Sequence, residues 1–249
     1  MVYVLPWFHR RPPESEEVSR IHPSRKLTRQ QIFGSLIADV SRNIPLVGRR
    51  FAQLIFGLLL FGASLGLMVR AGLGLGPWDV LHQGIAYRTG IGIGWVVIAV
   101  SGVVLIAWVP LRQRPGAGTL LNAVLVGLAL NAMLAVSPQP QALAWRCAFL
   151  LAGILLNGIA TGLYIGAGLG SGPRDGLMIG MSRYGFPIWA VRAAIECSVL
   201  LAGFFLGGRV GVGTLLYAFG IGPLAHYMIP RFTINSLETP VRAPASQIA

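Results

Sequence analysis

Six long apolar stretches limit what this chain can fold into more than any other feature of its sequence. Each holds roughly 20 residues, the length that a helix needs to cross the ~30 Å hydrocarbon core of a bilayer. Charged residues make up only 11% of the chain, whereas soluble domains carry about 25%. We therefore predict an all-α membrane protein with six transmembrane helices. The stretches are 51–69, 91–111, 118–136, 147–167, 187–206 and 211–229.

The basic residues give the chain a direction across the membrane. The net charge is +12, and nine of the 20 Lys and Arg residues precede Phe51. Basic residues accumulate on the cytoplasmic side of membrane spans, so we predict that both termini are cytoplasmic. The expected partner of these charges is the lipid bilayer and not a nucleic acid, because no nucleic-acid-binding motif accompanies them. On this orientation the outer loops hold Arg70, Arg88, Arg146 and Arg209.

The N-terminal tail contains one segment with a pattern of its own. Between residues 28 and 42, apolar side chains recur at helical spacing, with Arg29 and Arg42 on either side. This pattern predicts a short amphipathic helix that lies on the inner leaflet. For residues 1–27, a largely disordered tail is an equally good interpretation.

The chain repeats itself. GLGLGPWD at 72–79 recurs as GLGSGPRD at 168–175, and GAGTLL at 116–121 recurs as GVGTLL at 211–216. Matches spread over a whole half predict two copies of one unit. Each copy holds three spans, an odd number, so we predict inverted repeats, an arrangement typical of transporters. If the glycine-rich motifs themselves crossed the membrane, eight segments and parallel repeats would result instead.

These predictions divide the chain into four parts. They are a basic cytoplasmic tail at 1–50, a first membrane repeat at 51–137, a second at 145–230 and a cytoplasmic C-terminal tail at 231–249. Within the repeats, the small-xxx-small pairs at 62/66 and 158/162 predict close helix packing. Cys147 and Cys197 fall inside apolar stretches, which predicts small buried thiols.

The repeated motif predicts a break in the chain followed by the start of a helix, with glycine-rich broken or re-entrant segments as the result. Its prolines suit the first helical position, which puts Asp79 and Asp175 at the third. One interpretation is that each carboxylate binds free N–H groups of its own helix. The other is that the two broken segments line a common cavity, where carboxylates favour a cation, a proton or a neutral polar solute. The backbone residues of the motif are Gly72, Gly74, Gly76 and Pro77 in the first copy and Gly168, Gly170, Gly172 and Pro173 in the second.

Further candidates for a solute or ion pathway lie near these motifs. Arg192 and Glu196 stand four residues apart in the fifth apolar stretch, hence on one helix face. They are either a mutually neutralised structural pair or a proton-coupling carboxylate controlled by the arginine. Arg174 replaces Trp78 in the second copy, and His82 follows the first motif. For His82 and His226, a polar packing role is the simpler interpretation.

The paired GLGxGPxD segments, the GxGTL segments and the size of six spans resemble the YczE/YyaS/YitT-type bacterial integral membrane proteins. The resemblance covers about Phe51 to Arg231. It implies a multi-pass protein of the bacterial inner membrane with a transport role.

The chain lacks HExxH, CxxC and Walker spacings, so we expect no enzyme activity, no metal and no cofactor. The expected function is that of a secondary transporter or exporter of a small polar or cationic solute. The alternative is a non-transporting membrane regulator or scaffold. A homodimer is compatible with either function.

Overall fold

A computed structural model describes the backbone of residues 29–234 and the side chains of residues 46–234. The chain divides into two units after Gly48, and the helices long enough to span a membrane belong to the second, apart from the first three residues of the span Leu46–Ala71. The described part is all-helical, as predicted. Its helices are α1 (Arg29–Ala71), α2 (Pro77–Thr89), α3 (Ile93–Ala107), α4 (Ala117–Val136), α5 (Leu143–Gly166), α6 (Pro173–Ser182), α7 (Ile188–Phe205) and α8 (Val212–Phe232).

Five of these helices are long and apolar enough to cross a membrane: Leu46–Ala71 within α1, and α4, α5, α7 and α8. The predicted second span is different. It is occupied by α3, which has only 15 residues and joins α2 at a bend of 114°. Residues 29–234 therefore hold five helices that could each span a membrane, or six spans if the bent pair counts as one. The apolar stretch at 91–111 made the second span look longer, because residues after Ala107 are apolar but leave the helix in a turn.

The predicted amphipathic helix at 28–42 falls on the first part of α1. Side chains before residue 46 lie outside the described part of the chain, so the location of this segment at the membrane surface stays a prediction. Residues 1–28 and 235–249 lie outside it entirely.

The small-xxx-small pairs sit where helices approach closely. A Cβ atom on Gly62 would lie 2.4 Å from the carbonyl oxygen of Val126 in α4, and one on Gly158 would lie 2.8 Å from the Cβ of Leu224 in α8. Real Cβ atoms need more room than this, so only glycine allows the contact. Thus α1 packs on α4, and α5 packs on α8, through corresponding glycines.

The prediction that both cysteines are buried is wrong. Cys147 on α5 and Cys197 on α7 are free and exposed on the surface of the helical bundle. An apolar face in a membrane protein can be directed at lipid tails instead of at the protein core, and sequence hydropathy does not distinguish the two.

Each glycine-rich motif packs against the GxGTL segment of the other half. The backbone N–H of Gly213 donates to the carbonyl of Leu73 at 2.8 Å, and that of Gly118 donates to the carbonyl of Leu169 at 2.9 Å. The hydroxyl of Thr119 also donates to the carbonyl of Ser171 at 2.7 Å. The two halves are therefore joined by reciprocal contacts at the two motifs.

These contacts require glycine at the centre of each motif. Gly74 and Gly170 have φ angles of +115° and +134°, a region that L side chains rarely adopt. A Cβ atom on Gly74 would also lie 2.8 Å from the hydroxyl of Thr214, and one on Gly170 would lie 2.9 Å from that of Thr119. The motif glycines thus bring the chain into contact with the opposite half just before α2 and α6 begin.

Candidate functional site

The two motifs start the two short helices that meet at the site. Gly76 and Gly172 precede α2 and α6 with the same backbone angles, φ −61° and ψ 157°. Pro77 and Pro173 are the first helical residues, as the motif predicts, because their fixed φ suits that position and their missing N–H is not needed there. The side chains at the second and third helical positions then point into the region between the halves.

A cavity of about 460 Å³ lies between the two motifs. Five of the six predicted pathway residues line it, and they come from three different helices. They are Asp79 of α2, Arg174 and Asp175 of α6, and Arg192 and Glu196 of α7. The wall also includes Trp78, Tyr164, Tyr217 and His226. All acidic residues of the part with described side chains, Asp79, Asp175 and Glu196, are therefore cavity residues.

Asp79 is held by a charge from the other half of the chain. Its side chain is 5% exposed, and its Oδ1 lies 3.5 Å from a guanidinium nitrogen of Arg174. The same guanidinium stacks over the ring of Trp78, 5.2 Å from its centroid. The contacts of this carboxylate are with Arg174 of the other half and with His82 of its own helix. The interpretation in which it binds N–H groups of its own helix stays a prediction. The second copy has Arg174 where the first copy has Trp78, and this difference supplies the cationic partner of Asp79.

His82 supports Asp79 from behind the cavity. Its Nδ1 lies 3.2 Å from Oδ1 of Asp79, one helical turn away, and its side chain is 1% exposed. It is absent from the cavity wall, so the structure places it beside a predicted pathway residue and not on the pathway itself. This agrees with the simpler interpretation of a buried polar packing residue.

Asp175 has a different environment from its counterpart in the first copy. The hydroxyl of Tyr164 donates to its Oδ2 at 3.0 Å. Within the described residues, no Arg, Lys or His side chain lies within 4.0 Å of this carboxylate, whereas Asp79 and Glu196 both have such partners. A partly exposed carboxylate in a cavity wall, without its own cation, is free to bind one from solution.

Arg192 and Glu196 form an ion pair along α7. The Nε of Arg192 donates to Oε1 of Glu196 at 2.9 Å, and the two side chains are 55% and 28% exposed. The geometry agrees with a mutually neutralised pair. The second interpretation, a proton-coupling role for Glu196, stays a prediction.

Sequence reasoning missed the polar network that begins at Tyr217 in the cavity wall. The hydroxyl of Tyr217 donates to the side-chain oxygen of Asn157 at 3.2 Å, and the amide nitrogen of Asn157 donates to the hydroxyl of Ser64 at 2.9 Å. Asn157 and Ser64 are fully buried. Polar side chains inside apolar stretches are the signal that would have identified them, since buried polar groups at membrane depth need partners.

His226, for which the sequence favours a polar packing role, lines the cavity. Its counterpart in the first copy is Asn131, whose side-chain oxygen accepts a hydrogen bond from the backbone N–H of Gly94 at 3.0 Å.

No cluster of three or more His, Cys, Asp or Glu residues that could hold a metal occurs in the described part of the chain.

Comparison with known proteins now identifies the family. The model of DUF6198, a family of unknown function, matches residues 48–230, which include all the membrane spans apart from the ends of α1 and α8. The chain belongs to this family. No solved structure matches the chain significantly.

Three curated relatives each match about 70% of the chain. An uncharacterized protein of Haemophilus influenzae is 46% identical over 177 residues, covering 71% of this chain and 81% of its own length. The uncharacterized membrane protein YczE of Bacillus subtilis is 34% identical over 185 residues, covering 73% of this chain and 84% of its own. The uncharacterized protein YyaS of the same organism is 27% identical over 181 residues, 70% of this chain and 89% of its own. These relatives confirm the resemblance drawn from the repeated motifs. The family member described here is thus a multi-pass integral membrane protein.

Proposed function

We propose that the protein is a secondary transporter or exporter of a small polar or cationic solute in the bacterial inner membrane, with both termini in the cytoplasm. The observation that carries this proposal is the cavity between the halves, to which each glycine-rich motif contributes an aspartate. Irregular backbone at membrane depth is tolerated where it lines a cavity or is covered by protein. Helices that start at such breaks commonly build transport sites.

The charges in the cavity wall support a cationic or neutral solute over an anion. Three carboxylates stand against two guanidiniums, and Arg174 and Arg192 are each directed at one carboxylate. Asp175 has no such partner among the described residues and remains available to bind a solute. Selection of an anion would require an unpaired cation in the same wall, and the basic side chain left there is the imidazole of His226. A solute with an ammonium group, a proton or a monovalent cation would bind where Asp175 faces the cavity.

Inverted repeats would place this cavity between two oppositely oriented units, and helix-end contacts support that arrangement. Arg146 at the start of α5 donates to the carbonyls of Ala71 and Gly72 at the end of α1. The start of α4 is bonded to the segment after α5, and the start of α8 to the segment after α1. The start of α5 thus lies beside the end of α1, as expected if these two helices run in opposite directions. Because α8 starts beside the end of α1 and α4 starts beside the end of α5, α4 and α8 would then also run in opposite directions. With 13 and 10 residues, α2 and α6 measure about 20 Å and 15 Å, too short to cross the membrane upright.

The inverted architecture predicts the sides of the membrane on which the two short helices end. Arg88 is in the last turn of α2 and Arg183 directly follows α6, and both are exposed. In a chain with Cys147 and Cys197 replaced by alanine, Arg88→Cys and Arg183→Cys are expected to react with a membrane-impermeant maleimide from opposite sides. Intact cells and inside-out vesicles give the two measurements. Labelling of both positions from the same side would contradict inverted repeats and favour the parallel arrangement.

Transport itself is tested with purified protein in liposomes. We expect a concentration jump of at least one solute from a panel of monovalent cations, protonated amines, amino acids and sugars to produce a transient current on a solid-supported membrane. Protein-free liposomes from the same lipid are the control. If no member of the panel produces a current and none raises the melting temperature of the protein, the transporter proposal is contradicted. The non-transporting regulator or scaffold is then the better interpretation.

A further inference from the structure

A second, smaller cavity lies at the end of α1, away from the site described above. It measures about 170 Å³, and its wall consists of the end of α1, the α4–α5 loop, the start of α5 and the loop after α7. Three arginines line it, Arg70, Arg146 and Arg209, together with Gln139 and Gln141. A water molecule occupies about 30 Å³ of liquid, so the cavity has room for a group of several heavy atoms.

Two of these arginines are fixed by backbone carbonyls and keep N–H groups to spare. Arg146 donates from Nε to the carbonyl of Ala71 at 2.8 Å and from Nη2 to that of Gly72 at 2.9 Å. Arg70 donates from Nη2 to the carbonyl of Leu134 at the end of α4. The Nε of Arg70 is nevertheless buried without a hydrogen-bond partner. A buried donor of this kind is costly unless something in the cavity accepts its hydrogen bond.

The third arginine, Arg209, is not fixed in this way by backbone carbonyls of the described residues. Arg209 is exposed, and its bond to Gln83 uses the backbone N–H, which leaves the guanidinium without a hydrogen-bond partner among residues 46–234. One of its nitrogens, like one of Arg146, lies 3.3 Å from the point that a Cβ atom on Gly72 would occupy. The two nitrogens are therefore separated by no more than twice that distance. Two guanidiniums brought together over a residue without a side chain form a concentration of positive charge with open space in front of it.

No carboxylate neutralises this charge within the part of the chain whose side chains are described. The acidic residues there all line the larger cavity, and none of the three arginines is in an ion pair. The partial negative charge at the end of α1 accounts for the two bonds of Arg146. It does not account for the free guanidinium of Arg209 or for the unpaired Nε of Arg70.

We propose that this pocket binds a phosphate group. Guanidinium forks match phosphate oxygens in geometry and charge, and three of them exceed what the helix ends require. The pocket lies at the end of a membrane span, where phospholipid headgroups and dissolved phosphate both reach it. Phosphate binding would also explain why arginines occur in the predicted outer loops, where the positive-inside trend does not favour them. Three of the four arginines expected in the outer loops gather here.

The test uses the full-length protein in a neutral maltoside detergent, with Arg209→Gln as the variant and Arg88→Gln as the matched control. Both remove one exposed arginine, but Arg88 lies outside the pocket. One arm titrates inorganic phosphate and follows the melting temperature. The other adds phosphatidylglycerol and counts the lipids retained in native mass spectrometry. Arg70→Gln is a second pocket variant, since it removes the buried unpaired Nε.

We expect both pocket variants to weaken binding in at least one arm by about tenfold, while Arg88→Gln stays within about twofold of the unchanged protein. A loss in the phosphate arm assigns the pocket to a free anion, and a loss in the lipid arm alone assigns it to a headgroup. Equal losses in Arg209→Gln and Arg88→Gln would mean general surface attraction and would overturn the proposal. Absence of binding in both arms by the unchanged protein would overturn it as well.

Discussion

Asp175→Asn is expected to lower solute flux, or the transient current that reports it, by at least about tenfold. A hydrogen bond to a charged group contributes about 1.5–3 kcal/mol, and the variant removes the charge while keeping the shape. Asp175 is the cavity carboxylate without a cationic side chain within 4.0 Å among the described residues, so a bound cation or proton would lose its main partner. The measurement is the current in liposomes at several concentrations of a solute to which the unchanged protein responds.

The substitution leaves the fold intact because asparagine still accepts the hydrogen bond from Tyr164 through its side-chain oxygen. The melting temperature of the variant is therefore expected to lie within about 2 °C of that of the unchanged protein. For a chain of this size, a change of 1 kcal/mol in the free energy of unfolding shifts the melting temperature by about 2–4 °C. Arg183→Gln is the control, since it changes one exposed charge at the end of the same helix outside the cavity. Full flux in Asp175→Asn would exclude Asp175 from the solute pathway, even if the protein transports.

Gly94→Ala is expected to destabilise the protein by about 2 kcal/mol or more, because overpacking of a tight contact typically costs about 1–3 kcal/mol. A Cβ atom on Gly94 would lie 2.2 Å from the carbonyl oxygen of Gly127 and 2.4 Å from the side-chain oxygen of Asn131. Both contacts are on α4, so α3 would have to move away from it. The expected fall in melting temperature in detergent is about 4–8 °C.

The same helix provides the control. Gly102, also on α3, has nothing within 4 Å of the position of a Cβ atom. Because alanine favours helix over glycine by about 0.5–1 kcal/mol, Gly102→Ala is expected to leave the melting temperature unchanged or to raise it. If Gly94→Ala has the same melting temperature as Gly102→Ala, the close contact between α3 and α4 is not present in the folded protein.

The site could be predicted in its residues but not in its pairings. The motif spacing identified Asp79 and Asp175, and both line one cavity. Sequence alone left open whether each aspartate was satisfied within its own helix. The answer for Asp79 depends on Arg174, which lies 95 positions along the chain and meets it only when the halves are assembled. Tyr164, the partner of Asp175, lies in an apolar stretch and gave no signal of its role.

What the sequence determined by itself were the properties that repeat along the chain. Hydropathy determines that the protein lies in a membrane, because a bilayer accepts only stretches of sufficient length and apolar character. The doubled motif determines where α2 and α6 begin, because proline and glycine act through local backbone sterics.

The tertiary structure alone decided which faces of the helices meet protein and which meet lipid. In a membrane both surroundings are apolar, so composition cannot separate them, as the exposed cysteines show. It also decided that three distant arginines share a pocket and that α3 is short and bent against α2. These outcomes depend on distances between residues far apart in the chain, which are determined by packing between helices and not by any local preference.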